Sequence, residues 1–170
     1  MLPAKSSAFD RDAAIAGLRR FLDLLLAATG LELRYDVREP EPGRDDIESP
    51  DVLVAFRGRD EEFLLERNAE LLHAIEYIAL RWLHLPPSLH DRIRLDCAEW
   101  RAMRLEELKL SAQVAADRVR ETRQPFCFNP MSPRERRVIH LALHGASGVR
   151  TASEGAGDDR HVVVFPADSR

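Results

Sequence analysis

The sequence predicts an α+β protein made of two consecutive units, residues 1–97 and 98–170. Apolar residues recur at helical spacing in several segments, and short segments that alternate apolar and charged residues lie between them. The chain has 170 residues, of which 45% are hydrophobic and 32% are charged. This length suits one domain or two small ones, and this balance suits packed cores rather than disorder.

The first unit begins with a helix and a long hairpin. Residues 11–29 carry an apolar stripe, and Gly30 follows at the position where helices often end. Residues 31–38 alternate without a fault, which predicts a strand with one wet face. The Pro, Gly and Asp content of 39–50 indicates a loop, and 52–56 is a second apolar strand. The helix stripe consists of Ile15, Leu18, Leu22 and Leu25.

The first unit continues with two helices and a third strand. A short helical segment at 61–65 meets a longer helix at a tight junction, 66–69, and Pro86 stops the longer helix. Residues 92–97 alternate again as a strand. This order predicts a three-stranded sheet with helices on one face. The stripe of the longer helix consists of Leu71, Ile75, Ile78 and Trp82.

The second unit begins with a long charged helix over 98–122, which Pro125 follows. Residues 126–128 form a short apolar segment, and 149–153 with 161–165 predict a terminal hairpin. The stripe of the long helix consists of Leu105, Leu108, Ala112, Ala115 and Val119.

Three start signals predict a further helix over 133–144. Ser132 supplies a hydroxyl N-cap, Pro133 occupies the first helical position, and Glu135 lies three residues after the cap. The expected buried face consists of Ile139, Ala142 and Leu143.

Composition excludes several classes of protein. No apolar segment approaches the ~20 residues that span a bilayer, and the opening MLPAKSS has no signal-peptide core, so the expected location is the cytoplasm. Cys97 and Cys127 form no CxxC pair and are expected to be small buried residues.

The net charge is −4, but the charges are unevenly distributed. Residues 96–170 carry 12 basic and 11 acidic side chains, and residues 1–95 carry 13 basic and 18 acidic ones. A phosphate site is therefore expected in the second unit.

The strongest candidate site is the pair Arg136 and His140, one helical turn apart on the face expected to be exposed. An arginine fork can hold two phosphate oxygens, and an imidazole can donate a further hydrogen bond, so the pair suits a nucleic-acid backbone. Arg134 and Arg137 flank it near the helix N-terminus, where backbone N–H groups favour an anion. Spacing alone fits ordinary solvated residues as well.

Other chemistry has weaker support. His140 and His144 have the spacing of two zinc ligands, but Leu141 stands where a metalloprotease has Glu, so no metal or other cofactor is expected. Trp82 and Trp100 each adjoin an apolar stripe and are expected in the core. No nucleophile elbow, P-loop or dinucleotide loop is present, which predicts a protein that is not an enzyme.

The segment from Phe128 to Leu143, together with Gly148 to Gly155 and Arg160, closely resembles the C-terminal R-3-H domain of the bacterial Jag family. That domain is named for an arginine and a histidine separated by three residues, here Arg136 and His140. The resemblance implies binding of single-stranded nucleic acid and a type II KH domain ahead of the R-3-H domain. The element order derived for residues 11–97 is the order of such a KH domain.

The sequence departs from the family at the loop that a KH domain uses to clamp nucleotides, GxxG. The corresponding residues, Glu66 to Ala69, contain no glycine, and the Glu66 carboxylate opposes phosphate. We therefore expect a KH-like half that does not clamp RNA. The alternatives are an alignment shifted by one residue, or weak binding through Arg67 and Asn68. From the resemblance we also expect no counterpart of the family's N-terminal extension.

The expected function is binding of single-stranded RNA, or less readily DNA, through phosphate contacts at Arg134, Arg136, Arg137 and His140. The alternative is a protein–protein interaction module with residual nucleic-acid binding. The resemblance further implies association with a small stand-alone KH protein or with the membrane insertase.

Overall fold

The computed structural model describes residues 9–38 and 50–167. The chain divides into two compact units, Met1–Trp100 and Arg101–Arg170. Apart from Pro50, the predicted loop 39–50 lies outside the described residues. Within the described ranges, no helix combines the length and the apolar character needed to cross a membrane.

The described part of the first unit contains the predicted three-stranded sheet. The predicted short helix and the longer helix after it form one kinked helix, and a short 3-10 helix, Pro87–Arg92, precedes the last strand. The strands are ordered β1-β2-β3, with β1 antiparallel and β3 parallel to the central β2. The elements are α1 (Arg11–Thr29), β1 (Leu33–Arg38), β2 (Val52–Gly58), α2 (Glu61–Trp82) and β3 (Ile93–Cys97).

Both ends of α1 are closed by local chemistry. The Asp10 carboxylate accepts a hydrogen bond from the Ala13 N–H at 3.0 Å, which satisfies a free donor of the first turn. Gly30 takes φ of 69° and donates its N–H to the Leu26 carbonyl at 3.1 Å, so the predicted helix end is confirmed.

The predicted junction inside α2 is confirmed, and it is strained. Glu66 is extended, and the next three residues take left-handed backbone angles, with φ of 49°, 63° and 58°. None of these three, Arg67, Asn68 and Ala69, is a glycine. Arg67 and Ala69 each carry a steric cost of about 1 kcal/mol or more, and asparagine tolerates the left-handed region better. The fully buried Ala69 methyl and the apolar residues that follow hold the turn in place.

The predicted apolar stripe of α2 is wrong except at Ile75. The helix instead buries the neighbouring face, and Leu71, Ile78 and Trp82 remain exposed, Trp82 by 47%. The junction sets the rotation of the second helical segment about its axis. Apolar residues occur on more than one side of this segment, so periodicity alone did not show which side is buried. Trp82 lies against Phe21 at a ring distance of 5.8 Å. The buried residues of this segment are Leu72, Ile75, Glu76, Ala79 and Leu80.

Strand β3 has no wet face, although its sequence alternates. The Arg94 side chain is only 3% exposed and pairs with Asp91 at 2.8 Å and with Glu76 at 3.8 Å. The other Glu76 oxygen accepts the backbone N–H of Leu95 at 2.8 Å. A carboxylate from α2 therefore accepts a hydrogen bond from a main-chain N–H of β3, a strand at the edge of the sheet.

The second unit contains an antiparallel sheet in the order β4-β6-β5. Its first helix starts at Trp100 rather than at the predicted Ala98, because Ala98 and Glu99 take φ of 51° and 57°. The elements are α3 (Trp100–Thr122), β4 (Phe126–Cys127), α4 (Pro133–Ala142), β5 (Val149–Glu154) and β6 (His161–Pro166).

The remaining core predictions have mixed outcomes. Cys97 is buried as expected, and burial is the main cause that raises the pKa of its thiol to about 11. Cys127 is exposed, so that prediction is wrong. Trp100 packs, half-buried, against the core of the first unit, with its ring 5.3 Å from that of His73.

Candidate nucleic-acid interface

Helix α4 begins with the predicted signals and ends earlier than predicted. The Ser132 hydroxyl accepts the Glu135 N–H at 3.3 Å, and the Glu135 carboxylate accepts the Ser132 N–H at 3.0 Å, which forms a capping box. The helix ends at Ala142 instead of His144. Its buried residues are Val138 and Ile139, with Leu143 just beyond its end, whereas Ala142 is only half-buried.

Glu135 also ties α4 to α3. Its second oxygen accepts the Arg104 Nε–H at 2.9 Å, and the same guanidinium bonds Glu107 at 2.9 Å. Burial raises the pKa of Glu135, but the hydrogen bonds from Ser132 and Arg104 outweigh burial and hold that pKa below its usual value. An ionised Glu135 therefore fixes the start of the helix that carries the candidate site.

His140 is half-buried, and its ring nitrogens contact side chains of the neighbouring sheet. Its Nδ1 lies 2.7 Å from the Thr151 hydroxyl and its Nε2 lies 2.9 Å from the Ser153 hydroxyl. Thr151 and Ser153 are alternate residues of β5, so both side chains point to the same face of the sheet. The prediction of an exposed imidazole is wrong, because the helix packs this turn against β5.

The surroundings of His140 favour the neutral ring. Burial is the larger cause that lowers its pKa, and the charge of Arg136 is the second. A neutral imidazole has one N–H donor and one acceptor nitrogen, which matches two hydroxyls, one accepting and one donating. A doubly protonated ring would lose the acceptor and would stand beside a fixed guanidinium.

Arg136 lies one turn before His140 and is half-buried rather than exposed. Its Nε is sealed from solvent and has no hydrogen-bond partner in the described part of the chain. A buried donor without a partner is costly, so this atom calls for a physical explanation. Arg137, by contrast, is exposed, and Arg134 is half-buried and already engaged in an interaction.

The hairpin beyond β5 is held tightly, which fixes the Ser153 end of the site. Gly155 takes φ of 82°, and a Cβ at that position would lie 2.6 Å from the Asp159 carbonyl oxygen. On the other face of the sheet, the Arg150 guanidinium stacks over the Phe165 ring at 4.3 Å.

The geometry gives no support to a metal site at this helix. Both ring nitrogens of His140 contact hydroxyls, and His144 lies beyond the last residue of α4. Across residues 9–38 and 50–167, no three His, Cys, Asp or Glu side chains form a group able to hold a metal ion.

Comparison with known proteins identifies the class of this unit. Residues 106–166 match the R-3-H domain family, so the second unit carries an R-3-H domain. The chain as a whole is homologous to curated proteins named RNA-binding protein KhpB. It is 28% identical to the protein from Clostridium symbiosum over 96% of this chain and 69% of that protein. It is 29% identical to the Bacillus subtilis protein over 75% of this chain and 64% of the relative.

The chain is thus shorter than these relatives. It spans about two thirds of the Clostridium and Bacillus proteins, and a match to the Streptococcus pneumoniae D39 protein, 28% identical over 70% of this chain, covers 33% of that relative.

Sequence reasoning missed the residues that hold the pair in place. Thr151 and Ser153 have the spacing of one strand face, so the predicted hairpin contained the signal. Which face meets α4 depends on tertiary packing. Arg104 lies 31 residues before Glu135 in the sequence, so no local pattern indicates that the two side chains form an ion pair.

Proposed function

We propose that this protein binds single-stranded nucleic acid, RNA rather than DNA, without catalysing a reaction. The observation that carries the proposal is the position of the half-buried Arg136 guanidinium, which lies one turn from a His140 ring that two hydroxyl groups hydrogen-bond. R-3-H domains bind single-stranded nucleic acids, and the preference for RNA rests on the name of the KhpB relatives.

Arg136 is the central phosphate ligand in this proposal. The Nε of this half-buried side chain is sealed from solvent, so the terminal Nη groups of its planar guanidinium are the proposed donors to two oxygens of one phosphate. Arg137 and Arg134, on the same helix, add positive charge for neighbouring phosphates. His140 acts with the hydroxyls of Thr151 and Ser153, which present polar atoms beside the arginine. These contacts grip the backbone and read little of the base sequence.

The test is binding of a labelled single-stranded oligonucleotide to the full chain. Arg136→Ala should weaken binding by about tenfold or more, because a charge-assisted hydrogen bond contributes about 1.5–3 kcal/mol. Arg136→Lys should recover only part of the affinity, since a lysine keeps the charge but lacks the fork. Arg20→Ala, which removes an exposed arginine from α1, is the matched control and should bind normally. Equal affinities of Arg136→Ala and Arg20→Ala would refute the proposal.

The first unit is, in this proposal, a type II KH-like domain that no longer clamps RNA. Its support is the element order α1-β1-β2-α2-β3, the parallel pairing of β2 with β3, and a helical junction at 66–69. The junction lacks glycine, and Glu66 is exposed there. A carboxylate at this place repels a phosphate that a glycine would admit.

Restoring glycines tests the role of this loop. The double variant Glu66→Gly and Ala69→Gly removes the carboxylate and fits a glycine to the left-handed φ of 58° at Ala69. We expect it to bind the oligonucleotide more tightly than the unaltered chain, whereas Glu62→Gly, outside the junction, should not. No gain in affinity would contradict the loop argument.

The second candidate function is a protein–protein interaction module. The exposed apolar residues Leu71, Ile78 and Trp82 on one side of α2 favour it. Such a module would lose little on Arg136→Ala, so the oligonucleotide test separates the two functions. We also propose, from the family resemblance alone, that the protein associates with a small stand-alone KH protein or with the membrane insertase. A cytoplasmic location is likewise a proposal.

A further inference from the structure

Strand β5 lies at the edge of the second sheet. The sheet order β4-β6-β5 gives it no neighbouring strand on its other side among the described residues. Its pairing with β6 is antiparallel, so alternate residues of β5 point their main-chain N–H and C=O groups toward β6 and away from it. The residues that point away offer unpaired donors and acceptors. We call this side of the strand the open edge of β5.

The hydrogen bonds of β6 show which residues of β5 point outward. The Ala167 N–H donates to the Gly148 carbonyl at 2.9 Å, and these two residues continue the register of the β5–β6 pair. Because bonded and non-bonded pairs alternate, the even-numbered residues of β5 bond β6 and the odd-numbered ones face the open edge. On the other side of β6, the Phe128 N–H donates to the Val162 carbonyl at 2.9 Å, as the same alternation requires. The outward residues are Val149, Thr151 and Ser153.

Two of the outward residues also hold the candidate phosphate site. The hydroxyls of Thr151 and Ser153 lie 2.7 Å and 2.9 Å from the His140 ring nitrogens, and Arg136 lies one turn before His140 on α4. Thr151 and Ser153 are partly exposed, whereas Val149 is only 7% exposed. The accessible part of the open edge is therefore two outward residues long, and it lies beside the site proposed to hold the backbone.

The main chain of an outward residue suits a nucleobase better than a phosphate. Its N–H and C=O point the same way, so each residue presents one donor beside one acceptor. A phosphate only accepts hydrogen bonds, and the carbonyl oxygens would repel it. A nucleobase carries a donor and an acceptor side by side on its Watson–Crick edge, and proteins that bind single strands hydrogen-bond such edges.

An added peptide strand suits the open edge less well. Such a strand gains its affinity from a row of main-chain hydrogen bonds, whereas the two accessible residues span only about 7 Å. The charges also favour a polyanion, because residues 149–153 contain no carboxylate and α4 brings Arg136 to this side. Glu154 ends the strand, but it alternates with Ser153 and projects from the opposite face of the sheet.

We propose that the open edge of β5, at Thr151 and Ser153, binds a base of the strand whose phosphate Arg136 holds. The main-chain N–H groups donate to the base and the C=O groups accept from it. This inference rests on the proposed binding of single-stranded nucleic acid, and it adds a base contact to the phosphate contact. The edge holds a base without selecting its identity, because each base offers a matching pair of groups. In a duplex these base edges are already paired, so the contact favours single strands.

The test compares two substitutions at Ser153 in the full chain. Both remove the hydroxyl, but Ser153→Pro also removes the outward N–H, which Ser153→Ala keeps. Proline is tolerated in an edge strand where the N–H faces away from the sheet, so the fold should persist. On a labelled single-stranded oligoadenylate RNA, Ser153→Pro should bind about fivefold more weakly than Ser153→Ala, as expected for one neutral hydrogen bond. On the same RNA backbone without bases, the two variants should bind equally.

The unaltered chain provides a second measurement that does not depend on the folding of a variant. It should bind the oligoadenylate about tenfold more tightly than the abasic strand, because only the former can fill the open edge. Arg136→Ala should weaken the binding of both strands, since its proposed contact is to phosphate. The base contact and the phosphate contact are thus measured separately.

Two outcomes would overturn the base contact while binding is still weakened by Arg136→Ala. One is equal affinity of Ser153→Pro and Ser153→Ala for the oligoadenylate, and the other is equal affinity of the unaltered chain for the two strands. If Arg136→Ala binds both strands like the unaltered chain, the proposed function itself fails. A change from dimer to monomer in Ser153→Pro but not in Ser153→Ala, measured by size-exclusion chromatography, would instead assign the edge to a strand of a second copy.

Discussion

At the scale of single residues, His140 has a different role from the one its spacing suggests. An imidazole on an exposed turn would donate to phosphate directly, whereas this ring is held by Thr151 and Ser153 and is kept neutral by burial and by Arg136. In the proposed site, Arg136 therefore carries positive charge, and His140 fixes the arrangement of the hydroxyls beside it. The arrangement depends on the uncharged ring.

The stability of the protein should fall on acidification because of His140. Its folded pKa lies below the ordinary value of about 6.5, so the unfolded chain takes up the proton first. The neutral ring contributes fully to the free energy of unfolding at pH values above the ordinary pKa. This contribution is lost as the pH falls through the ordinary pKa toward the lower pKa of the folded state. Urea unfolding at about pH 7.5 and about pH 5.5 measures this loss.

Two variants isolate the effect of His140. His140→Gln should flatten the dependence of the free energy of unfolding on pH, because it removes the proton-binding group. His144→Gln, which alters an exposed histidine of the same unit, should keep the dependence of the unaltered chain. A His140 ring that titrates at or above 6.5 by NMR would contradict the account.

At the scale of elements, the junction inside α2 shows a fold that accepts local strain. Three successive left-handed residues without glycine are unfavourable, yet the segments on either side bury Leu64 and Leu72 completely. Apolar burial contributes about 1.5–3 kcal/mol per large side chain, which offsets the strain. The same tertiary contacts decide which side of the second segment faces the core.

A glycine at Arg67 should stabilise the protein. The residue takes φ of 49°, its side chain is 83% exposed, and its contact with Glu70 is 4.0 Å long, so Arg67→Gly relieves strain and removes little else. We expect a gain of about 0.5 kcal/mol in the free energy of unfolding. The matched substitution Arg20→Gly, inside α1, should instead lose about 1 kcal/mol. Urea unfolding midpoints of both variants measure whether stability rises in Arg67→Gly and falls in Arg20→Gly. A loss of stability in both variants would contradict the strain at Arg67.

At the scale of the whole molecule, the two units differ in their charge. The acidic excess lies in residues 1–95, where 18 acidic side chains outnumber 13 basic ones, and the candidate phosphate site lies in the second unit. A net charge of −4 gives no general attraction for nucleic acid. The proposed binding should therefore depend on a few local cations rather than on the surface as a whole.

The salt dependence of RNA binding should accordingly be shallow. Each phosphate held on a single strand contributes about −0.7 to the slope of log K against log salt concentration, so two or three phosphates predict about −1.4 to −2. Arg137→Ala should reduce the magnitude of the slope by about 0.7, and Arg20→Ala should leave it unchanged. A much steeper slope, or one that Arg137→Ala does not alter, would indicate that binding involves other surfaces.

The sequence by itself predicted the order of the strands and the main helices, the glycine that ends α1, the capping box that starts α4, the junction at 66–69 and the adjacency of Arg136 and His140. These features depend on residues within a few positions of one another, whose backbone preferences and hydrogen bonds are local. Only the tertiary structure decided that α2 exposes Leu71, Ile78 and Trp82, and that Thr151 and Ser153 hold His140. The rotation of a helix with apolar residues on several sides, and the strand that it meets, are set by packing between segments far apart in the chain.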